Sequence, residues 1–195
     1  MTRLRLAAVF LVLGFLLVGI PAVDAAATKF FDPQTKTWQE ITPGRSMKNP
    51  VPRQMVAYDG PYGPNTIIID TSERRLHFVL GNGKAIKYGV GVGREGFQWA
   101  GTHRITRKAE WPGWTPPAAM RKRQPYLPAY MEGGPDNPLG ARAMYIGATL
   151  YRIHGSNQPW SIGHAVSSGC IRMVNEDVIH LYDQVKVGTK VVVLR

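Results

Sequence analysis

Ile153-His154-Gly155-Ser156, followed by Ser167-Ser168-Gly169-Cys170-Ile171-Arg172-Met173, is the stretch around which the rest of the chain is arranged. Cys170, sixteen residues beyond His154, is the only cysteine in 195 residues. With no partner for an intrachain disulfide, it is an intermolecular bridge, a buried small apolar residue or a reactive thiol. A nucleophilic cysteine needs a base within hydrogen-bond reach and backbone N–H groups aimed at the oxyanion that forms on attack. His154 can supply the base and an ion-pair partner for the thiolate. Gly169 has no side chain to keep a substrate carbonyl from the amides around Cys170, and Ser168 adds a hydroxyl beside them. One cysteine and one histidine this far apart leave the structural reading of Cys170 open.

The whole string narrows it. It resembles the L,D-transpeptidase catalytic domain of the YkuD type, whose signature is a histidine followed after a loop by S-[H/S]-G-C-[I/V/L]-[R/N]. Those positions read His154, Ser167, Ser168, Gly169, Cys170, Ile171 and Arg172 here. The likeness extends loosely from about Asn65 to the C-terminus: Thr66–Asp70 with Arg75–Val79 is similar to that domain's opening hairpin, and Val185–Val191 to its closing strand. The fold it implies is mainly β, an L,D-transpeptidase-like β-sandwich or barrel with one principal helix in the C-terminal half. The resemblance also implies that the main-chain carbonyl of Gly155, rather than an acid, orients His154. The implied substrate is the peptidoglycan stem peptide, cut before its terminal D-alanine and joined through its third-position diamino acid to another stem. Some members instead attach a lysine of a lipoprotein or outer-membrane protein to the wall. No cofactor is implied. Arg172 suits either a substrate carboxylate or a structural salt bridge. Many members carry a second histidine where this chain has Ser168, so that histidine's role does not carry over.

Length and composition fit one domain with appendages, since 195 residues at 44% hydrophobic content support a single core. A net charge of +11 attracts polyanions, and compartment decides which. Residues 1–25 read as a secretory signal peptide: a basic Met1–Arg5, an unbroken apolar run from Leu6 to Ile20, then small residues fit for cleavage. Fifteen apolar residues fall short of a membrane span, so no stable span is expected after cleavage. The expected location is the periplasm, against the cell wall, where a basic protein meets anionic wall and lipid rather than nucleic acid.

From residue 26 to 64 six prolines interrupt any period, which predicts a mostly irregular arm, parts of whose apolar residues pack on the domain. Residues 65–195 form the catalytic domain. Strands are predicted at Thr66–Asp70, Arg75–Leu80, Ala85–Val92, Gly101–Arg107 and Met144–His154, with a turn at Gly81-Asn82-Gly83 and a final buried strand at Thr189–Leu194. One helix is expected after Asn175 as its cap, with Glu176 and Asp177 in its first turn and a stripe of Val178, Ile179, Leu181, Tyr182 and Val185. The long segment from Trp111 to Gly140, rich in aromatic, basic and proline residues, reads as a substrate cover.

Other signals are weaker. Gly91-Val92-Gly93-Arg94-Glu95-Gly96 fits G-x-G-x-x-G, but no helix pattern follows it, so it reads as a loop beside the cleft. The five histidines form no H-E-x-x-H, and a lone cysteine denies thiolate-rich sites, so no metal is expected. His164 is the second candidate base, and His180 is expected to be solvated. Glu95, Glu110, Glu132 and Asp136 have no motif that would make them a glycosidase pair. An exported cysteine acyltransferase of peptidoglycan is therefore the expectation. A hydrolase trimming stem peptides with the same residues, and a wall-binding module that lost the chemistry, stay open.

Overall fold

The computed structural model describes the backbone at residues 28–32 and 37–41 and the whole of residues 49–195; the signal segment expected over 1–25 lies outside these. Strands β1 (Thr28–Asp32) and β2 (Thr37–Ile41) form an antiparallel hairpin. The remaining strands are β3 (Gln54–Ala57), β4 (Thr66–Asp70), β5 (Arg75–Gly81), β6 (Lys84–Gly89), β7 (Val92–Gly93), β8 (Gly101–Glu110), β9 (Arg142–Ile146), β10 (Arg152–His154), β11 (Ala165–Ser167), β12 (Ile171–Arg172) and β13 (Lys190–Leu194). The α-helices among the described residues are α1 (Ala118–Arg123) and α2 (Asn175–Gln184).

Nine strands make one sheet in the order β12-β10-β9-β8-β13-β4-β5-β6-β3. Its centre is β13, antiparallel to β8 and parallel to β4, which in turn runs antiparallel to β5. Both β4 and β13 are nearly continuous apolar runs, as a strand buried on both faces requires, and Ile67, Ile69, Val191 and Val193 are buried. Just past β6 the chain bridges back to the opposite edge: Gly91 N–H donates to the Arg172 carbonyl at 2.9 Å, and Arg172 N–H to Gly91 at 2.8 Å. This contact draws the two ends of the sheet together, as in a barrel, and the short pair β7–β11 continues beyond it. Inside sit Leu76, Phe78, Tyr88, Ile105, Met144 and Ile153, covered at one side by Val178 and Leu181 of α2 and by Val185 just after it.

The structure departs from the sequence expectation in five places. The arm is not irregular throughout: besides the β1–β2 hairpin, β3 pairs with β6 at the sheet edge. Just ahead of β3, Asn49 Nδ2 and Arg53 reach the buried Asp177 carboxylate at 2.6 and 2.9 Å, which fastens this part of the arm to α2. The single strand expected at Met144–His154 is two, β9 and β10, paired antiparallel. Thr149 makes the turn, its hydroxyl donating to the Ile146 carbonyl and accepting from Tyr151 N–H. Similarly, Ala85–Val92 breaks after Gly89, where a Cβ would collide with Val51. Finally, Val174 is the residue preceding α2, and Asn175 does not cap it, because its side chain is engaged elsewhere. His180 is half-buried rather than solvated, its Nδ1 lying 2.8 Å from the Tyr88 hydroxyl.

Candidate active site

The parallel pairing of β10 with β12 is what brings the two halves of the motif together. Ile153 lies opposite Ile171 and His154 opposite Arg172, and Met173 N–H donates to the His154 carbonyl at 2.9 Å. Parallel neighbours need a long crossover, and here residues 155–170 supply it. Cys170, just ahead of β12, and His154, at the end of β10, therefore open on one groove of about 380 Å³.

His154 is buried, and its Nδ1 lies 2.6 Å from the Gly155 carbonyl oxygen. A carbonyl only accepts, so Nδ1 carries the proton and Nε2 keeps its lone pair. Burial, reinforced by the Arg172 charge and opposed by the Gly155 carbonyl, pushes the imidazole pKa down to about 3. Cys170 is half-buried, with its thiol 3.9 Å from the Leu150 carbonyl. Burial raises the thiol pKa, while the charge and backbone N–H of Arg152 and the charge of Arg172 pull the other way. Both shifts favour the uncharged forms. Burial thus favours thiol and neutral imidazole over the ion pair that the sequence allowed.

The turn that presents Cys170 is braced from within. Ser167 Oγ donates to the Cys170 carbonyl at 2.6 Å and accepts from Gly169 N–H at 3.1 Å. Gly169 N–H is therefore already committed, which removes it from the set of oxyanion donors expected from sequence. The need for glycine there is steric instead. Its φ is 105°, and a Cβ would run into the Tyr151 ring, which stacks on Trp99 at 4.6 Å between centroids. Trp99 Nε1 in turn donates to the Gly169 carbonyl at 2.7 Å. Gly169→Ala is expected to cost about 1–3 kcal/mol of stability and to misplace Cys170, read as a lowered melting temperature together with a lowered turnover.

Ser168 and Arg172 stand between this groove and a second cavity of about 330 Å³, lining both. Arg172 donates to Gln158 Oε1 at 3.2 Å, and among the described residues no carboxylate pairs with it. The structural salt bridge allowed by the sequence is thus absent among these residues. The segment from Trp111 to Gly140 forms the facing wall, with Trp114, Met120 and Arg123 exposed to both cavities. It contains α1, which the sequence did not signal, and it is pinned by the buried Asn137, whose Nδ2 donates to the Glu132, Pro112 and Met131 carbonyls. His164 is exposed and lines neither cavity. His77 and His103 are half-buried in β5 and β8.

The model of the YkuD L,D-transpeptidase catalytic domain matches residues 64–193. The chain belongs to this family. Among curated relatives, the probable L,D-transpeptidase ErfK/SrfK of Escherichia coli (strain K12) is 40% identical over 137 residues, covering 66% of this chain and 43% of that protein. The chain spans less than half the length of that relative. A crystal structure from Brucella melitensis, titled a probable carnitine operon oxidoreductase, is 45% identical, covers 76% of this chain and 97% of its own, and superposes with a TM-score of 0.52. An L,D-transpeptidase from Mycobacterium smegmatis shares the fold at a TM-score of 0.51, with 20% identity over 67% of this chain and 58% of that one. In this L,D-transpeptidase domain the G-x-G-x-x-G stretch lies in β7 and the turn after it, and no helix opens there.

Two residues organise this L,D-transpeptidase site without having been singled out from sequence as doing so. Ser167 was visible only as a signature position, and its bracing role appears from its two hydrogen bonds. Asn175 was read as a helix cap, yet its Oδ1 accepts from Ala141 N–H at 3.0 Å and Ser156 N–H at 3.3 Å. It also fills the space where Gly155 lacks a Cβ, holding the carbonyl that orients His154. Asn175→Ala leaves two amides without their acceptor and is expected to cost about 1–3 kcal/mol, with a fall in activity, whereas Asn175→Asp keeps the acceptor and most of both. Denaturant midpoints and initial rates on the same samples check this.

Proposed function

We propose that this protein is an exported cysteine acyltransferase of peptidoglycan, acting on a tetrapeptide stem. The observation that carries the reading is the buried His154, its Nδ1 held against the Gly155 carbonyl, opening with the sole thiol on one groove. As sulfur attacks the carbonyl of the third-position residue, the thiol proton passes to His154 Nε2 and a carbon–sulfur bond forms. In this reading the amide of Cys170 and the Ser168 hydroxyl serve as donors to the oxyanion. The carbon–nitrogen bond to D-alanine then breaks, and His154 returns the proton to the leaving amine. A thioester remains. An acceptor amine attacks it, gives its proton to His154 and releases the thiolate, which takes that proton back.

The second cavity favours transfer over hydrolysis. It meets the thiol groove at Ser168 and Arg172 and, at about 330 Å³, is large enough for a peptide side chain bearing the acceptor amine. That amine belongs to the diamino acid of a second stem, giving a 3-3 cross-link, or to a lysine of a wall-attached lipoprotein or outer-membrane protein. The basic chain and its leading apolar segment support a periplasmic location beside the wall. The test is incubation with purified disaccharide-tetrapeptide and identification of products by mass. Dimers lacking one D-alanine are expected. Tripeptide alone would assign a hydrolase, and no product a binding module.

A further inference from the structure

Arg152 adjoins the site in sequence and in space, yet no step above uses it. It stands two residues before His154 on β10 and lines the Cys170 groove but not the second cavity. Strand register places it opposite Tyr145 of β9, which itself lies opposite Arg107 of β8. The two guanidinium carbons sit 5.5 and 3.7 Å from the centre of the Tyr145 ring. An aromatic face backed this way orients a guanidinium fork without neutralising it. The rest of the fork is underused: one terminal nitrogen donates to the Leu150 carbonyl at 3.3 Å, and Nε is buried with no acceptor.

The surroundings are one-sided in charge. Arg123, Arg152 and Arg172 line the thiol groove, and no acidic side chain does. The ion pairs among the described residues, Arg53–Asp177 and Arg142–Glu110, involve none of these three. Buried donors and unpaired cations weigh against folding, so a groove built this way is complementary to an anion that arrives with the ligand. Activation of the thiol is the competing use of the charge, but burial still holds the Cys170 pKa above its ordinary value. Because Arg172 faces both cavities and Arg152 only the one with the thiol, Arg152 addresses the peptide that is attacked rather than the acceptor.

We propose that Arg152 is a specificity-determining residue of the donor side: its guanidinium receives a free carboxylate on the residue whose carbonyl Cys170 attacks, selecting such stems over stems amidated at that position. This rests on the acyl-transfer reading above. The test uses the whole protein and two synthetic tetrapeptide stems that differ only in whether the side-chain carboxylate of the third residue is free or amidated. The native protein should prefer the free acid by about ten- to a hundredfold in kcat/KM, expressed in KM, the range of a charge-assisted hydrogen bond. Arg152→Gln should erase the preference by raising KM for the free acid alone, while any slowing of Cys170 alkylation by iodoacetamide, from loss of a charge that lowers the thiol pKa, carries over equally to both stems. Arg152→Lys should restore part of it. Equal turnover of the two stems by the native protein overturns the proposal, as does an Arg152→Gln loss that falls equally on both stems and leaves the preference intact. Calorimetric binding of each stem to Cys170→Ser, with and without Arg152→Gln, keeps the two claims apart. Arg152-dependent preference in binding with no turnover of either stem by the native protein overturns acyl transfer and supports the role of Arg152.

Discussion

Cys170→Ala should abolish turnover of a tetrapeptide stem, a loss on the order of ten-thousandfold or more, while thermal melting stays close to that of the native protein. The two halves of this expectation have separate causes. The thiol is the only one in the chain, so nothing else can form the thioester. It is also only half-buried at the groove rather than part of the core, so removing sulfur leaves no large cavity. A β-lactam exposes the same chemistry without an acceptor. Its strained carbonyl beside a carboxylate should be opened by Cys170, and the thioester should persist because no amine is present to resolve it. Intact mass after incubation with a carbapenem should rise by one drug molecule in the native protein and not in Cys170→Ala. Turnover by Cys170→Ala would remove the thiol from the mechanism.

His154→Gln is the second large effect, with kcat expected to fall by about a hundred- to ten-thousandfold through loss of the proton acceptor and donor. Because burial favours the neutral pair, alkylation of Cys170 near pH 7 should change little in the same variant. A thiolate–imidazolium pair would instead slow alkylation and turnover together. The buried imidazole also leaves a signature in stability. Its folded pKa, about 3, lies below the unfolded value of about 6.5, so the unfolded chain binds the proton first as pH falls. The stability associated with His154 is therefore complete above about pH 6.5 and is lost progressively as pH drops toward about 3. Between pH 7 and pH 5 the native protein should lose about 2 kcal/mol more than His154→Gln. Denaturant titrations of both proteins at the two pH values measure this difference. Equal losses would mean that the imidazole is not buried uncharged.

The parts of the molecule that were legible in the sequence are those written in local pattern. The apolar runs of β4 and β13, and the stripe of Val178 and Leu181 on α2 that Val185 continues, are visible because burial imposes a period or its absence. Cys170 and His154 are visible because the signature joins them across the crossover. Long-range partners were not legible. An asparagine ahead of Glu176 and Asp177 has a local meaning as a cap, and only the topology reveals that its carbonyl reaches Ala141 and Ser156. The break between β9 and β10 was hidden because Thr149 and Tyr151 are good strand formers, and the turn depends on the Thr149 hydroxyl. The commitment of Gly169 N–H to Ser167 lies between neighbours in sequence, yet it follows from a backbone geometry that composition does not specify. Likewise the uncharged state of the pair comes from burial, which a motif does not convey.

The central claim is that Cys170 carries the stem peptide as a thioester, and intact mass spectrometry of the whole protein tests it most directly. The sample is acid-quenched within the first turnovers after mixing with disaccharide-tetrapeptide. The account expects an added mass equal to the substrate less one D-alanine, located on the peptide that contains Cys170 and absent from Cys170→Ala. No such adduct during active turnover, from protein whose thiol still alkylates, would contradict it.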